Sequence, residues 1–192
     1  MKLEEIKNKL IIILNTFFIC ICFLSCSICK IDTKLPMDKI KINEISSLKT
    51  TIYTEIVINS PAKKVWETLM DFDKMPNWST TIKGIYGEIQ HGGSVIIKVD
   101  IGNGQIIDVP RSPLIYKNGE FFGWSGEIKR LTGISDHHIY KVEAISKCQT
   151  RFIQTEEFTG SNPNITTSTL ANQVIERYKT FNNELKKEVE RK

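Results

Sequence analysis

The sequence predicts an α+β domain in which a curled antiparallel sheet wraps around one long C-terminal helix, with a short helical pair after the first strand. Three observations predict it. Apolar residues recur at helical spacing in only two places of the body, once near its start and once at its end. Between them, β-branched and aromatic residues alternate with polar ones in segments separated by turn residues. A chain of 192 residues suits a single domain of ordinary size with a substantial core.

The first thirty or so residues stand apart. "MKLEEIKNK" is a charged opening, and "LIIILNTFFICICFL" is an apolar run ending at "SCSICK", the layout of a secretory signal. Residues 1–29 are therefore assigned to targeting rather than to the fold. Phe23-Leu24-Ser25-Cys26 resembles a bacterial lipobox, which implies Cys26 as the lipidated residue and a membrane-anchored, exported lipoprotein. Phe23 departs from the usual Leu or Val of that motif. Counted to Cys29, the run approaches the roughly 20 residues of a spanning helix, so plain secretion and a single-pass signal anchor stand as alternatives. Residues 30–50, Lys-rich and carrying Pro36 and Ser46-Ser47, read as a polar tether.

The body is expected over residues 51–192. "TIYTEIVINS" reads as a strand with Ile52, Ile56 and Ile58 on one face. Ser60 is the expected N-cap and Pro61 the first helical residue. Ala62, Val65, Trp66 and Leu69 then fall at i, i+3, i+4 and i+7, one helical face, until Pro76 stops the helix. A single antiparallel meander is expected next: "TTIKGIYGEI", "SVIIKVDI", a hairpin at Gly102-Asn103-Gly104, and "QIIDVPRSPLIYKN", whose prolines argue for an edge or bulged strand. It continues through "EFFGWSGEIK", "SDHHIYKVEAIS" and "QTRFIQTEEFTG". After Asn162-Pro163-Asn164 the period changes: Leu170, Val174, Tyr178, Phe181 and Leu185 form one stripe along a helix of about five turns.

Composition excludes some functions. The net charge is +4, and its basic excess lies in scattered Lys without an Arg-rich, aromatic-interleaved stripe, which argues against nucleic acid. Four of the five cysteines crowd into the N-terminal segment, leaving Cys148 alone in the body, so no disulfide framework is expected. His137 and His138 point to opposite faces of one strand and His91 lies in a distant turn, so neither a metal site nor a cofactor is expected. Cys148 has no neighbouring base for nucleophilic work.

The stretch "VINSPAKKVWETLMDFDKMPNWSTTIKGIYGE", the later "GGSVIIKV" and "TRFIQTEEFTG" before a long terminal helix resemble the START-like (SRPBCC) helix-grip superfamily. The branch most similar is the one named polyketide cyclase/dehydrase and lipid transport. The resemblance covers roughly residues 51–187. It implies a cavity between sheet and long helix, with the short helix and its Met-Pro-Asn-Trp turn plugging one end. Because the superfamily includes lipid carriers, receptors, cyclases and oxygenase subunits, the fold does not choose among them.

Strand parity narrows the site. His138 shares a face with Tyr140, Val142 and Ala144, and Gln154 and Glu156 share a face with Phe152 and Phe158. A hairpin across Ser146 to Gln149 places His138 opposite either Glu156 or Phe158. The expected ligand-binding set is Trp78, Trp124, His138, Tyr140, Gln154, Glu156 and Phe158. Within it, His138 and Glu156 are the candidate acid/base pair if the protein is an enzyme; the bland reading is a His-Glu pair that anchors two strands. The leading expectation is binding of a hydrophobic small molecule or lipid at or outside a membrane. A cavity enzyme of cyclase, dehydratase or hydrolase type, and an envelope interaction module, are the alternatives.

Overall fold

The computed structural model describes residues 29, 31–34 and 38–191; the signal and lipobox region containing Cys26 lies outside them. The body folds as expected, with a curled antiparallel sheet and one long C-terminal helix. Among the described residues, nine strands form two sheets. In the first, β1 (Asp38–Ser46), β2 (Lys49–Ile58), β9 (Thr150–Gly160), β8 (Ile134–Ala144), β7 (Phe121–Glu127) and β6 (Leu114–Lys117) lie in that order. In the second, β3 (Ile82–Gly87), β4 (Val95–Asp100) and β5 (Ile106–Arg111) form a meander.

Two expectations are corrected here. The tether assigned to residues 30–50 contains strand β1 and the first two residues of β2. Strand β1 pairs with β2 through its backbone while its side chains stay largely in water, so its Lys-rich composition hides a strand on an edge. The single meander is in fact divided after β5, where Ser112 and Pro113 interrupt the ladder and the chain crosses to the larger sheet. Pro110 sits in β5, an edge strand, where its missing N–H breaks no ladder.

The inner face of β2 carries Thr50 and Thr54 as well as Ile52, Ile56 and Ile58, all buried. Helix α1 (Ala62–Met70) buries Val65, Trp66 and Leu69, while its N-cap position is Pro61 rather than Ser60 and makes no side-chain cap. Ser60 is instead used through its carbonyl, which accepts from Thr150 Oγ1 at 2.6 Å. The β4–β5 hairpin turns through Gly102, Asn103 and Gly104 at φ of 117°, 54° and 74°, values that Gly and Asn tolerate.

Helix α2 (Thr167–Glu190) is 24 residues long, and its N-cap Thr166 accepts the Thr169 N–H through its side chain. Polar pins fasten it to β2. Thr167 Oγ1 meets Thr50 Oγ1 at 3.0 Å, Asn182 Nδ2 donates to Thr54 Oγ1 at 2.9 Å, and Lys186 Nζ donates to the Val57 carbonyl at 2.7 Å. The apolar core falls into two clusters. One gathers α1 and Phe122, Phe152, Phe181 and Leu185; the other gathers Ile52, Ile134, Phe158, Leu170, Ala171 and Ile175.

Both described cysteines, Cys29 and Cys148, are disulfide-bonded, against the expectation that the body is free of disulfide constraint.

Candidate functional site

Between the two core clusters lies a cavity of about 220 Å³, walled by Ile97, Val99 and Val109 from the smaller sheet, by the inner faces of β7 to β9, and by Val174 and Tyr178 of α2. No residue of α1 lines it. The short helix fills its own end of the space with Val65, Trp66 and Leu69, so the cavity occupies the other part of the sheet–helix gap.

One wall is polar. In β8 the alternation that turns Tyr140 inward also turns in His138 and Asp136, and in β9 it turns in Gln154, Glu156 and Phe158. The register sets His138 opposite Glu156, Tyr140 opposite Gln154 and Asp136 opposite Phe158. The hairpin closes where Ile145 and Ser146 donate to the Gln149 carbonyl.

These side chains are wired together. His138 Nδ1 lies 2.8 Å from Glu156 Oε2, which also accepts the Tyr178 hydroxyl at 2.7 Å. Gln154 Nε2 lies 3.4 Å from His138 Nε2. The arrangement therefore sets Nδ1–H of His138 on Glu156, with Nε2 facing the Gln154 amide. The indole of Trp124 stacks on the imidazole. Burial, followed by the charge of Glu156 and then the bond to Glu156, pushes the Tyr178 phenol well above its ordinary pKa, so it remains a donor.

A second pair adjoins the first. Arg111 of β5 bonds Asp136 at 2.7 Å, and both side chains are buried. Burial, together with the nearby charge of Glu156, nevertheless raises the Asp136 carboxyl to about 6, outweighing the guanidinium. Five polar atoms of cavity-lining residues have no hydrogen-bond partner among the described residues: Asp136 Oδ1, Gln154 Oε1, Glu156 Oε1, Trp124 Nε1 and Arg111 Nε.

Of the seven residues expected to bind ligand, Trp124, His138, Tyr140, Gln154, Glu156 and Phe158 line this cavity. Trp78 does not. The turn at Met75–Asn77 buries Met75 instead, and Trp78 packs half-buried against Phe181, ring centroids 5.4 Å apart. Sequence reasoning missed Asp136 and Arg111. Asp136 carries the same parity as His138 and was open to the same argument; Arg111 comes from the other sheet and no local pattern points to it. No metal-ligating cluster occurs among the described residues.

A curled sheet gripping one long helix over a partly polar cavity defines a helix-grip protein. The chain belongs to the polyketide cyclase/dehydrase and lipid transport family, whose model matches residues 49–190. Solved structures share the fold at low identity. The Zhui aromatase/cyclase from Streptomyces sp. R1128 is 16% identical with a TM-score of 0.60, covering 74% of this chain and 94% of that one. A START superfamily protein from Mycobacterium smegmatis is 14% identical with a TM-score of 0.57, covering 73% and 97%. Human STARD10 is 7% identical with a TM-score of 0.57, covering 83% and 72%. No curated protein matches the chain.

Proposed function

We propose that this protein binds a hydrophobic small molecule, without transforming it, in the cavity between sheet and α2. The observation that carries the reading is a cavity lined mostly by apolar side chains, whose polar residues gather chiefly in the His138–Glu156–Gln154–Tyr178 group and the adjoining Arg111–Asp136 pair, with Thr81 and Arg177 elsewhere on the wall. Its size of about 220 Å³ lies below the roughly 300 Å³ at which pockets for drug-sized ligands begin, which favours a compact ligand over a two-chain lipid.

Catalysis has weaker support. Both ring nitrogens of His138 are engaged and its face is covered by Trp124, which leaves no free nitrogen to take a proton from a ligand.

The proposal places the domain at or outside a membrane, exported and held there by the N-terminal segment or by lipid on Cys26. It rests on the signal-like sequence, and the fact that both described cysteines are disulfide-bonded supports it, since such bonds persist in oxidising compartments. No helix among the described residues is long and apolar enough to cross a membrane. Native mass spectrometry of the protein from its own host, followed by extraction, tests the binding reading. A stoichiometric apolar molecule is the expected result. A cavity that stays empty against a broad panel of apolar compounds overturns it.

A further inference from the structure

We infer that the ligand carries a hydroxyl group at one end, which the polar wall of β8 and β9 reads by accepting its proton, and that the cavity selects against an anionic head. This rests on the binding reading above and specifies its ligand.

Glu156 Oε2 accepts from both His138 and Tyr178, which leaves Oε1 bare in a side chain that is 3% exposed. Gln154 spends its amide N–H on His138 and leaves its own oxygen bare, at 1% exposure. Asp136 spends Oδ2 on Arg111 and leaves Oδ1 bare. Three unpartnered acceptors therefore lie buried in residues that line the cavity, and each costs about 1–3 kcal/mol if left unpaired.

Two fully buried donor atoms without a partner, Trp124 Nε1 and Arg111 Nε, accompany them. A hydroxyl satisfies both kinds, donating to Glu156 Oε1 and accepting from the indole. An ether can only accept, so it leaves all three oxygens bare. A carboxylate can also only accept, and it brings a third negative charge beside Asp136 and Glu156. The charge of Arg111 is already engaged by Asp136 through Nη2, and Arg177 is turned to the Asp100 carbonyl.

The test uses three probes of one chain length and similar volume, 1-octanol, its isomer 1-methoxyheptane, and octanoate, titrated calorimetrically into the full chain. Val174→Phe, which fills the cavity from α2, identifies the part of each signal that belongs to this site. The expected result is Val174→Phe-sensitive binding of 1-octanol at least about tenfold tighter than the ether, the fold-change of one lost buried hydrogen bond, with octanoate weaker still. In Glu156→Gln the side-chain oxygen can keep the bonds to His138 and Tyr178 while an amide N–H replaces Oε1. The alcohol preference should then collapse and octanoate binding should strengthen, with circular dichroism confirming an intact fold.

Equal affinity of alcohol and ether in the wild type would overturn the inference while leaving the binding reading intact, because water rather than ligand would then satisfy the three oxygens. An alcohol preference that survives Glu156→Gln would overturn it too. If no probe binds in a Val174→Phe-sensitive way, the binding reading fails and the inference falls with it.

Discussion

Trp124 and His138 lie face to face, ring centroids 4.5 Å apart and planes within 5° of parallel, on adjacent strands where the register sets them directly opposite. This stack fixes the imidazole plane so that Nδ1 meets Glu156. Replacing Trp124 by Leu removes the stack and a large buried surface. We expect a loss of about 3 kcal/mol in urea unfolding, against about 1 kcal/mol for Trp124→Phe, which keeps an aromatic face.

Glu156 is the hub of two bonds, so its loss should cost more than that of either partner. Glu156→Ala leaves His138 Nδ1–H and the Tyr178 hydroxyl without their acceptor, and destabilisation of about 3 kcal/mol is expected. Tyr178→Phe removes one bond and should cost about 1 kcal/mol. If a double-mutant cycle between the two showed no coupling energy, the network described here would be wrong.

Asp136 predicts a pH dependence with a definite sign. Its folded pKa is raised from 3.8 to about 6, so the folded state binds this proton more tightly than the unfolded state does. The associated stability is fully present below the unfolded value and declines as pH rises through about 6, by on the order of 3 kcal/mol. Comparing wild type with Asp136→Asn by urea unfolding from pH 3.5 to pH 7 isolates this contribution from the other carboxylates. Relative to the variant, wild type should lose stability over that interval; a relative gain would contradict the burial of this carboxyl.

Gly123 sits where β7 passes His138. A Cβ placed there would lie 1.9 Å from the His138 carbonyl oxygen and 2.8 Å from Ile139 Cδ1. Since the nearer clash is with backbone, relief requires the strands to part. Gly123→Ala should therefore cost more than about 3 kcal/mol and shift the His138 ring signals in NMR spectra, whereas Gly119→Ala, with no atom within 4 Å, should leave those signals in place.

Cys148 contributes a constraint outside the site. Reduction of the full chain should lower the thermal midpoint, consistent with about 2–5 kcal/mol for loss of a native disulfide. Cys148→Ser should show the same lowered midpoint with and without reductant.

How much of this was legible in the sequence depended on the range of the interaction. Period-two alternation in "DHHIYKVEA" and "TRFIQTEEF" sufficed to bring His138, Gln154 and Glu156 onto one wall, because parity is a local property and the hairpin is short. The stripe from Leu170 to Leu185 located α2 for the same reason, but not that Val174 and Tyr178 would face a space rather than packed core. Arg111 was beyond reach: its partner lies across a boundary between two sheets, and the division after β5 leaves no periodic trace. Strand β1 was hidden by charge. An edge strand with both faces in water needs no apolar alternation, and its stability comes from a ladder whose other half is Lys49–Ile58.

The polar pins along α2 bear on how quickly anything could enter or leave. Thr167 holds one end of the helix to β2, and Asn182 and Lys186 hold the other half, so swinging the helix aside would break buried bonds at both ends. The smaller sheet covers its side of the cavity with a hairpin whose tip is three residues of positive φ and whose outer strand has one neighbour. Release kinetics are therefore expected to follow local opening of β4 and β5. Ligand dissociation rates and amide hydrogen exchange in that hairpin should rise together with temperature, while the amides of α2 stay protected.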